Sequence, residues 1–349
     1  MVVVQISTRG ATMAEVAAAA GVSIPTVSKV LNGRADVAPQ TRERVGRLLT
    51  ELGYVAQPRF RRRAGVIDLV LSEFSEWATE VVRGAEEAAL ASGSRIAVTA
   101  LRGDVAERLW WRSLVASRTD GVLLVLADLA PLRRDQLAAL RVPVVAIEPA
   151  SGPDPGAFSV SAANWAGGLR ATEYLLGLGH CRIGTITGRR GLECSRRRLD
   201  GYTTALRRAG IPVDPALVAL GNFHYESALD AAAAMLSLVD PPTAIFAASD
   251  VQAMGVYEAA RRRGLRIPEH LSVIGFDDVP MAALACPPLT TLHQPLAEMA
   301  ALAVGRLVGR GEPPLSGHVE LDTNLVVRAS TAPPPARIAA AEQCRTTGA

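Results

Sequence analysis

Seven short runs rich in branched aliphatic residues recur between residues 66 and 276, and nothing else in the chain constrains its fold as much. They are VIDLVL (66–71), RIAVTA (95–100), GVLLVL (121–126), VPVVAI (142–147), RIGTIT (182–187), TAIFAAS (243–249) and LSVIGF (271–276). Stretches with helical spacing of apolar residues lie between them, for example 80–91, 165–177, 199–209 and 252–262. Near-continuous apolar strands separated by helices suit parallel sheets buried on both faces. The βα units suffice for two doubly wound parallel-sheet lobes. Small molecules bind such folds at the carboxyl ends of strands, in the crevice between lobes.

The preceding segment is of another kind. Residues 1–63 hold ten Lys or Arg against four acids, so they carry +6 of a chain whose net charge is +3. A basic head on a mildly acidic body points to a polyanionic partner for the head alone. Thr12 and Glu15 are spaced as a capping box, and the alanine-rich helix that follows stops at Gly21. Ser23 is a second N-cap two residues later, which makes a helix-turn-helix pattern. At about 100° per residue, Ile24, Val27, Val30 and Leu31 fall on one side of the second helix, with Ile24 at its edge. Pro25, Ser28, Lys29 and Asn32 fall on the other. A third helix, about 39–52, offers Val45, Leu48, Leu49 and Leu52 as the opposite wall of the core.

The stretch TMAEVAAAAGVSIPTVSKVLNGRADVAPQTRERVGRLLTELGY (12–54) resembles the DNA-binding head of the lactose/galactose repressor family of bacterial transcription regulators. The likeness continues through GLGHCRIGTITG, SRRRLDGY, PPTAIFAASD, IPEHLSVIGFDD and PPLTTLHQP, and so covers about 12–330. It implies a helix-turn-helix head followed by a periplasmic-binding-protein-like core whose chain crosses between lobes three times. It also implies that helix 24–32 enters the major groove, with Ile24, Pro25 and Lys29 at base-facing positions. Thr12, Ser23, Thr26, Ser28 and Asn32 match positions that grip phosphates or order the turn.

After Tyr54 the family usually places a hinge helix with a leucine that wedges into the minor groove. Here the segment is about four residues shorter and Arg63 stands in the leucine's place. Arg61, Arg62 and Arg63 suit a narrow minor groove, and Phe60 is either the wedge or part of a flexible basic linker. The organisation expected is a head (1–54), a linker (55–64), a core (65–330) and a disordered tail (331–349). Within the core, one lobe takes 65–160 and 290–320 and the other takes 161–289 and 321–330.

The core lacks enzyme signatures: no P-loop, dinucleotide fingerprint, nucleophile elbow or zincin motif is present. Asp277 and Asp278 are adjacent, so an extended backbone sends them to opposite faces. His180 reads as structural, and Trp165 as core or pocket. No cofactor or metal is expected. Cys181, Cys194, Cys286 and Cys344 are scattered, which argues against a disulfide framework. By resemblance, Trp77 and Phe223 are apolar platforms of an effector cleft, Arg198 its arginine and Asp277 its hydroxyl acceptor. Glu148 and Gln294 match further lining positions, and Ser249 stands where relatives often have asparagine.

These readings converge on an effector-responsive transcription regulator, a repressor, acting as a homodimer on a pseudo-palindromic operator. Its effector is a sugar or oligosaccharide, with a purine or sugar phosphate as the alternative, and corepression or activation remain open. No apolar run approaches the roughly 20 residues of a membrane helix, and MVVVQISTRG lacks the regions of a secretory signal, so a cytoplasmic location is expected. A solute-binding protein or an enzyme on the same scaffold is disfavoured by the basic head and the absent motifs.

Overall fold

The computed structural model describes residues 12–31, 37–52, 65–101, 103–117, 119–128, 131–309 and 316–335. Asn32, Phe60, Arg61, Arg62 and Arg63 lie outside them. The chain divides into two compact units, Met1–Arg63 and Ala64–Ala349.

The first unit contains α1 (Met13–Ala20), α2 (Ile24–Leu31) and α3 (Pro39–Glu51). The capping box forms: Glu15 N donates to Thr12 Oγ1 at 3.3 Å, and Thr12 N donates to Glu15 Oε2 at 2.6 Å. α1 ends at Gly21 in the left-handed region, with Val22 N donating back to Ala17 O at 3.0 Å. Thr26 N reaches Ser23 Oγ at 3.4 Å, which opens α2. Val16, Ala17, Ala20, Val27 and Val45 close the core, with Val30, Leu48 and Leu49 against it. Two expected core residues differ: Ile24 is 46% and Leu52 40% exposed. Both sit at helix ends, where a three-helix core of this size runs out of partners.

The second unit holds two six-stranded sheets. In chain order the strands are β1 (Val66–Leu71), β2 (Arg95–Ala100), β3 (Gly121–Val125), β4 (Val144–Ile147), β5 (Phe158–Ala162), β6 (Ile183–Ile186), β7 (Val218–Ala219), β8 (Ala244–Ala247), β9 (Ser272–Asp277), β10 (Thr290–His293), β11 (Gly317–Leu321) and β12 (Asn324–Val326). The first sheet has the order β11-β5-β4-β3-β1-β2 and the second β12-β10-β9-β8-β6-β7. All pairs are parallel except β10 with β12. Helices Glu76–Ala91 and Leu296–Val308 bury Val81, Ala85, Met299 and Ala303 against Ile67, Leu69 and Leu123 of the first sheet. Each large apolar side chain buried this way contributes about 1.5–3 kcal/mol.

The chain crosses between sheets three times, after β5, after β10 and after β11. The lobe boundaries read from sequence shift accordingly. β5 stays in the first sheet to Ala162, and β10 belongs to the second, although 290–320 reads as first lobe. Thr291 anchors β10 there by donating to the buried Asp250 carboxylate at 2.5 Å. Residues 331–335 are ordered rather than disordered. Tyr174 Oη meets Thr331 Oγ1 at 2.9 Å, and Ala332 N donates to Ser272 Oγ at 3.0 Å, so this backbone finds partners on the second lobe. His180 is buried and structural, its ring within 2.8 Å of both Thr243 Oγ1 and Ala332 O. Cys194, which is buried, and Cys286, which is exposed, are free.

Candidate functional site

Strand order reverses between β3 and β1 in the first sheet and between β8 and β6 in the second. The helices that follow such strands leave on opposite faces, so a crevice opens at the carboxyl ends. A cleft lies there. It encloses about 120 Å3 of space for water-sized groups, lined after β1 by residues 71–78 and after β3 by Val125 and Leu126. The second sheet lines it with Cys194 and Arg198 after β6, and Ser249 and Val251 after β8.

The structure brings Trp77, Glu148, Arg198, Phe223, Ser249 and Asp277 to this one cleft. Gln294 is not among the lining residues. It stands behind them, its Nε2 donating to Asp277 Oδ1 at 2.6 Å. Trp165 is half-buried and outside the lining. Asp277 and Asp278 do part company: Asp278 pairs with Arg328 at 2.6 Å and with His293 at 3.1 Å.

Arg198 is held by close helix packing. A Cβ on Gly168 would lie 2.2 Å from the Arg198 carbonyl oxygen, and one on Gly201 2.3 Å from Trp165 O. Only glycines let helices Asn164–Gly177 and Glu193–Arg208 meet this closely. Arg198 Nε then donates to Asn164 Oδ1 at 2.8 Å, and Nη1 donates to Ala248 O. The guanidinium stacks 3.7 Å from the Phe276 ring centroid and lies 5.8 Å from that of Phe223. Phe223 rests on Gly188, where a Cβ would come within 2.0 Å of its ring.

Two buried carboxylates face that cation. Asp277 Oδ1 is 3.6 Å from Arg198 Nη1. Burial pushes the Asp277 carboxyl up to about 7, although Arg198 and the Gln294 hydrogen bond pull the other way. Burial also raises Glu148, against hydrogen bonds from Ala162 N at 2.7 Å and Asn164 Nδ2 at 3.0 Å. Ser249 spends its hydroxyl on capping helix Asp250–Arg262, accepting from Gln252 N at 3.2 Å. Trp77 Nε1 is buried without a hydrogen-bond partner.

Backbone strain gathers here too. Of the six non-glycine residues at positive φ among those described, Leu126, Glu148, Phe223 and Asp277 line the cleft. Such conformations cost of order 1–3 kcal/mol each and cluster at functional sites. Sequence reasoning missed Asn164, which links Glu148 to Arg198. Its one signal was an amide at the start of a helix just past a crossing. It also missed Glu73 and His224, whose side chains come within 3.5 Å of each other and which both line the cleft, one after β1 and the other after β7.

In the first unit, Ile24, Pro25 and Lys29 are exposed on α2, while Ser23 and Thr26 bond to each other at 2.9 Å and Thr12 is engaged in its capping box. Ser28 is half-buried. A helix of this kind presents one apolar face to its core and one free face.

Residues 12–57 match the family described as bacterial regulatory proteins, lacI family, and residues 172–331 match a periplasmic binding protein-like domain. The HTH-type transcriptional repressor CytR of Escherichia coli (strain K12) is 34% identical, over 92% of this chain and 96% of that protein. Among solved structures, a transcriptional regulator CelR–cellobiose complex is 35% identical with a TM-score of 0.70, covering 92% of this chain and 99% of that one. A lac repressor dimer bound to operator and the anti-inducer ONPF is 27% identical with a TM-score of 0.67, covering 93% and 100%.

Proposed function

The chain belongs to the lacI family of bacterial regulatory proteins, and from that premise we propose that a sugar or oligosaccharide bound in its cleft controls how tightly its head holds operator DNA. It is a DNA-binding transcription regulator and not an enzyme. The observation that carries the effector reading is the convergence of six separately positioned side chains on one crevice between two sheets.

In this reading Trp77 and Phe223 offer flat faces to the apolar side of a sugar ring, while Arg198 and Asp277 bind hydroxyls. Trp77 lies on the first lobe, and Arg198, Phe223 and Asp277 on the second, so a ligand touching all of them favours one angle between lobes. A ligand shifts an equilibrium only by its differential affinity for the two states. Effector binding and operator binding are then reciprocally coupled. The relative solved with an operator is a dimer, and a two-fold dimer needs a two-fold site. Ile24 and Pro25 press on thymine methyls, and Lys29 donates to guanine. Among the described residues no helix is long and apolar enough to cross a membrane, and the working location is the cytoplasm, with the DNA.

The test is a gel shift of fragments from the protein's own promoter, with and without members of a sugar panel. A salt-sensitive, sequence-specific complex that one sugar shifts, and that Arg198→Ala leaves insensitive to that sugar, supports the reading. No specific complex at any upstream fragment sinks the regulator. A specific complex whose sugar response survives Arg198→Ala sinks the cleft assignment.

A further inference from the structure

We infer that the effector carries no phosphate or carboxylate on the part that enters the cleft, an inference that rests on the cleft being the effector site. The charges lining it are unequal. Glu73, Glu76, Glu148 and Asp277 are acidic, whereas Arg198 is the one arginine among the described lining residues and His224 the one histidine. Glu148 and Asp277 are buried with Arg198 at the floor, and Asp277 lies 3.6 Å from its guanidinium. Arg198 also gives Nε to Asn164 and Nη1 to Ala248 O. Its positive charge is therefore already met by carboxylates of the protein. At the mouth, Glu73 lies 3.5 Å from His224 Nε2, which commits the second cationic group when it is protonated.

An incoming anion meets an arginine already engaged by the protein and carboxyl groups that outnumber the cationic ones, in a crevice where water screens poorly. Arg189 and Arg190 follow β6 and are exposed, but neither is among the lining residues. A neutral hydroxylated molecule fares differently. Its hydroxyls donate to the carboxyl oxygens and bring no charge that must be compensated. The acceptor-rich lining thus selects a ligand rich in O–H or N–H donors, and separates a free sugar or nucleoside from its phosphorylated form.

Matched pairs test this: cellobiose with cellobiose 6′-phosphate, ribose with ribose 5-phosphate, and a wider set of free and phosphorylated sugars and nucleosides. Thermal shift followed by calorimetry on the full chain gives the affinities, with Arg198→Ala reporting whether a hit occupies the cleft. The hits are expected among the unphosphorylated members, with the phosphorylated partner of each hit bound at least about tenfold more weakly, a difference of about 1.4 kcal/mol. Glu148→Gln with Asp277→Asn is expected to narrow that ratio. A phosphorylated compound that binds as tightly as its free form or more so, and is lost in Arg198→Ala, overturns the inference and leaves the cleft reading standing. A panel without any hit that depends on Arg198 overturns both.

Discussion

Arg198 Nη1 and Asp277 Oδ1 lie 3.6 Å apart with both side chains almost wholly buried, so each is the main compensation for the other. Breaking such a pair costs about 3–5 kcal/mol when it strands a buried charge. Asp277 has an escape, because burial already holds its carboxyl up at about 7 and losing Arg198 pushes it higher. A carboxyl with a raised folded pKa binds more protons in the folded than in the unfolded chain, so stability falls as pH rises between the two values. Arg198→Ala is therefore expected to lose more stability at pH 8 than at pH 6, by about 1 kcal/mol in all once the carboxyl gains a pKa unit or more. Urea unfolding at the two pH values measures it, and equal losses contradict the pairing.

Gly188→Ala is expected to disable the platform without touching any polar group in the cleft. Its Cβ would sit 2.0 Å from the Phe223 ring and 2.4 Å from Ser195 Oγ. Phe223 must swing away, since its backbone is already at a φ of 72° and has little room to adjust. Affinity for the sugar found in the panel should fall at least about tenfold, against a smaller change in operator affinity without effector. Calorimetry and gel shift on the same preparation separate the two, and unchanged sugar affinity removes Phe223 from the site.

His180 ties residue 332 to the second lobe, and burial lowers its pKa below the usual histidine value of 6.5. With Nε2–H donating to Ala332 O, Nδ1 is left to accept from Thr243 Oγ1, so the neutral ring satisfies both partners. The unfolded chain takes up the proton first as pH falls. The stability contributed by neutral His180 is thus complete above about 6.5 and is lost progressively below it. Melting curves from pH 8 to 5.5 should show a steeper fall for the wild type than for His180→Gln. A variant with the same slope would exclude this residue as the source.

Lys29 is the one lysine in the chain and is exposed on α2 beside Ile24 and Pro25. If it reads guanine, Lys29→Ala should cost about 1–3 kcal/mol on the operator and relax preference at one position of each half-site. A phosphate contact instead weakens all sequences alike and lowers the salt slope by about one. Binding selections on randomised half-sites, run for both proteins, distinguish these outcomes.

Strands that are buried on both faces were legible because their composition is nearly pure aliphatic: VIDLVL and GVLLV are β1 and β3 almost to the residue. β5 (FSVSA), β10 (TTLH) and β11 (GHVEL) were not, since alternating polar residues at an edge or beside a crossing carry weak strand signals. In the cleft, Arg198 and Asp277 were reached through the family resemblance of SRRRLDGY and IPEHLSVIGFDD rather than from their residue types alone. Gln294 did not reveal that it works from behind Asp277, and Ser249 did not reveal that its hydroxyl belongs to a helix. Those facts depend on which neighbour the fold supplies: the helix that starts at Asp250 for Ser249, and the pairing of β9 with β10 for Gln294.

Three crossings are an odd number, and parity has a mechanical meaning. Val66, next to the segment that leads to the head, begins the first sheet, while Thr331 lies against the second. The head is therefore tethered by covalent chain to one lobe only. The second lobe, which supplies Arg198, Phe223 and Asp277 to the cleft, is joined by covalent chain only to the first lobe, through three short straps.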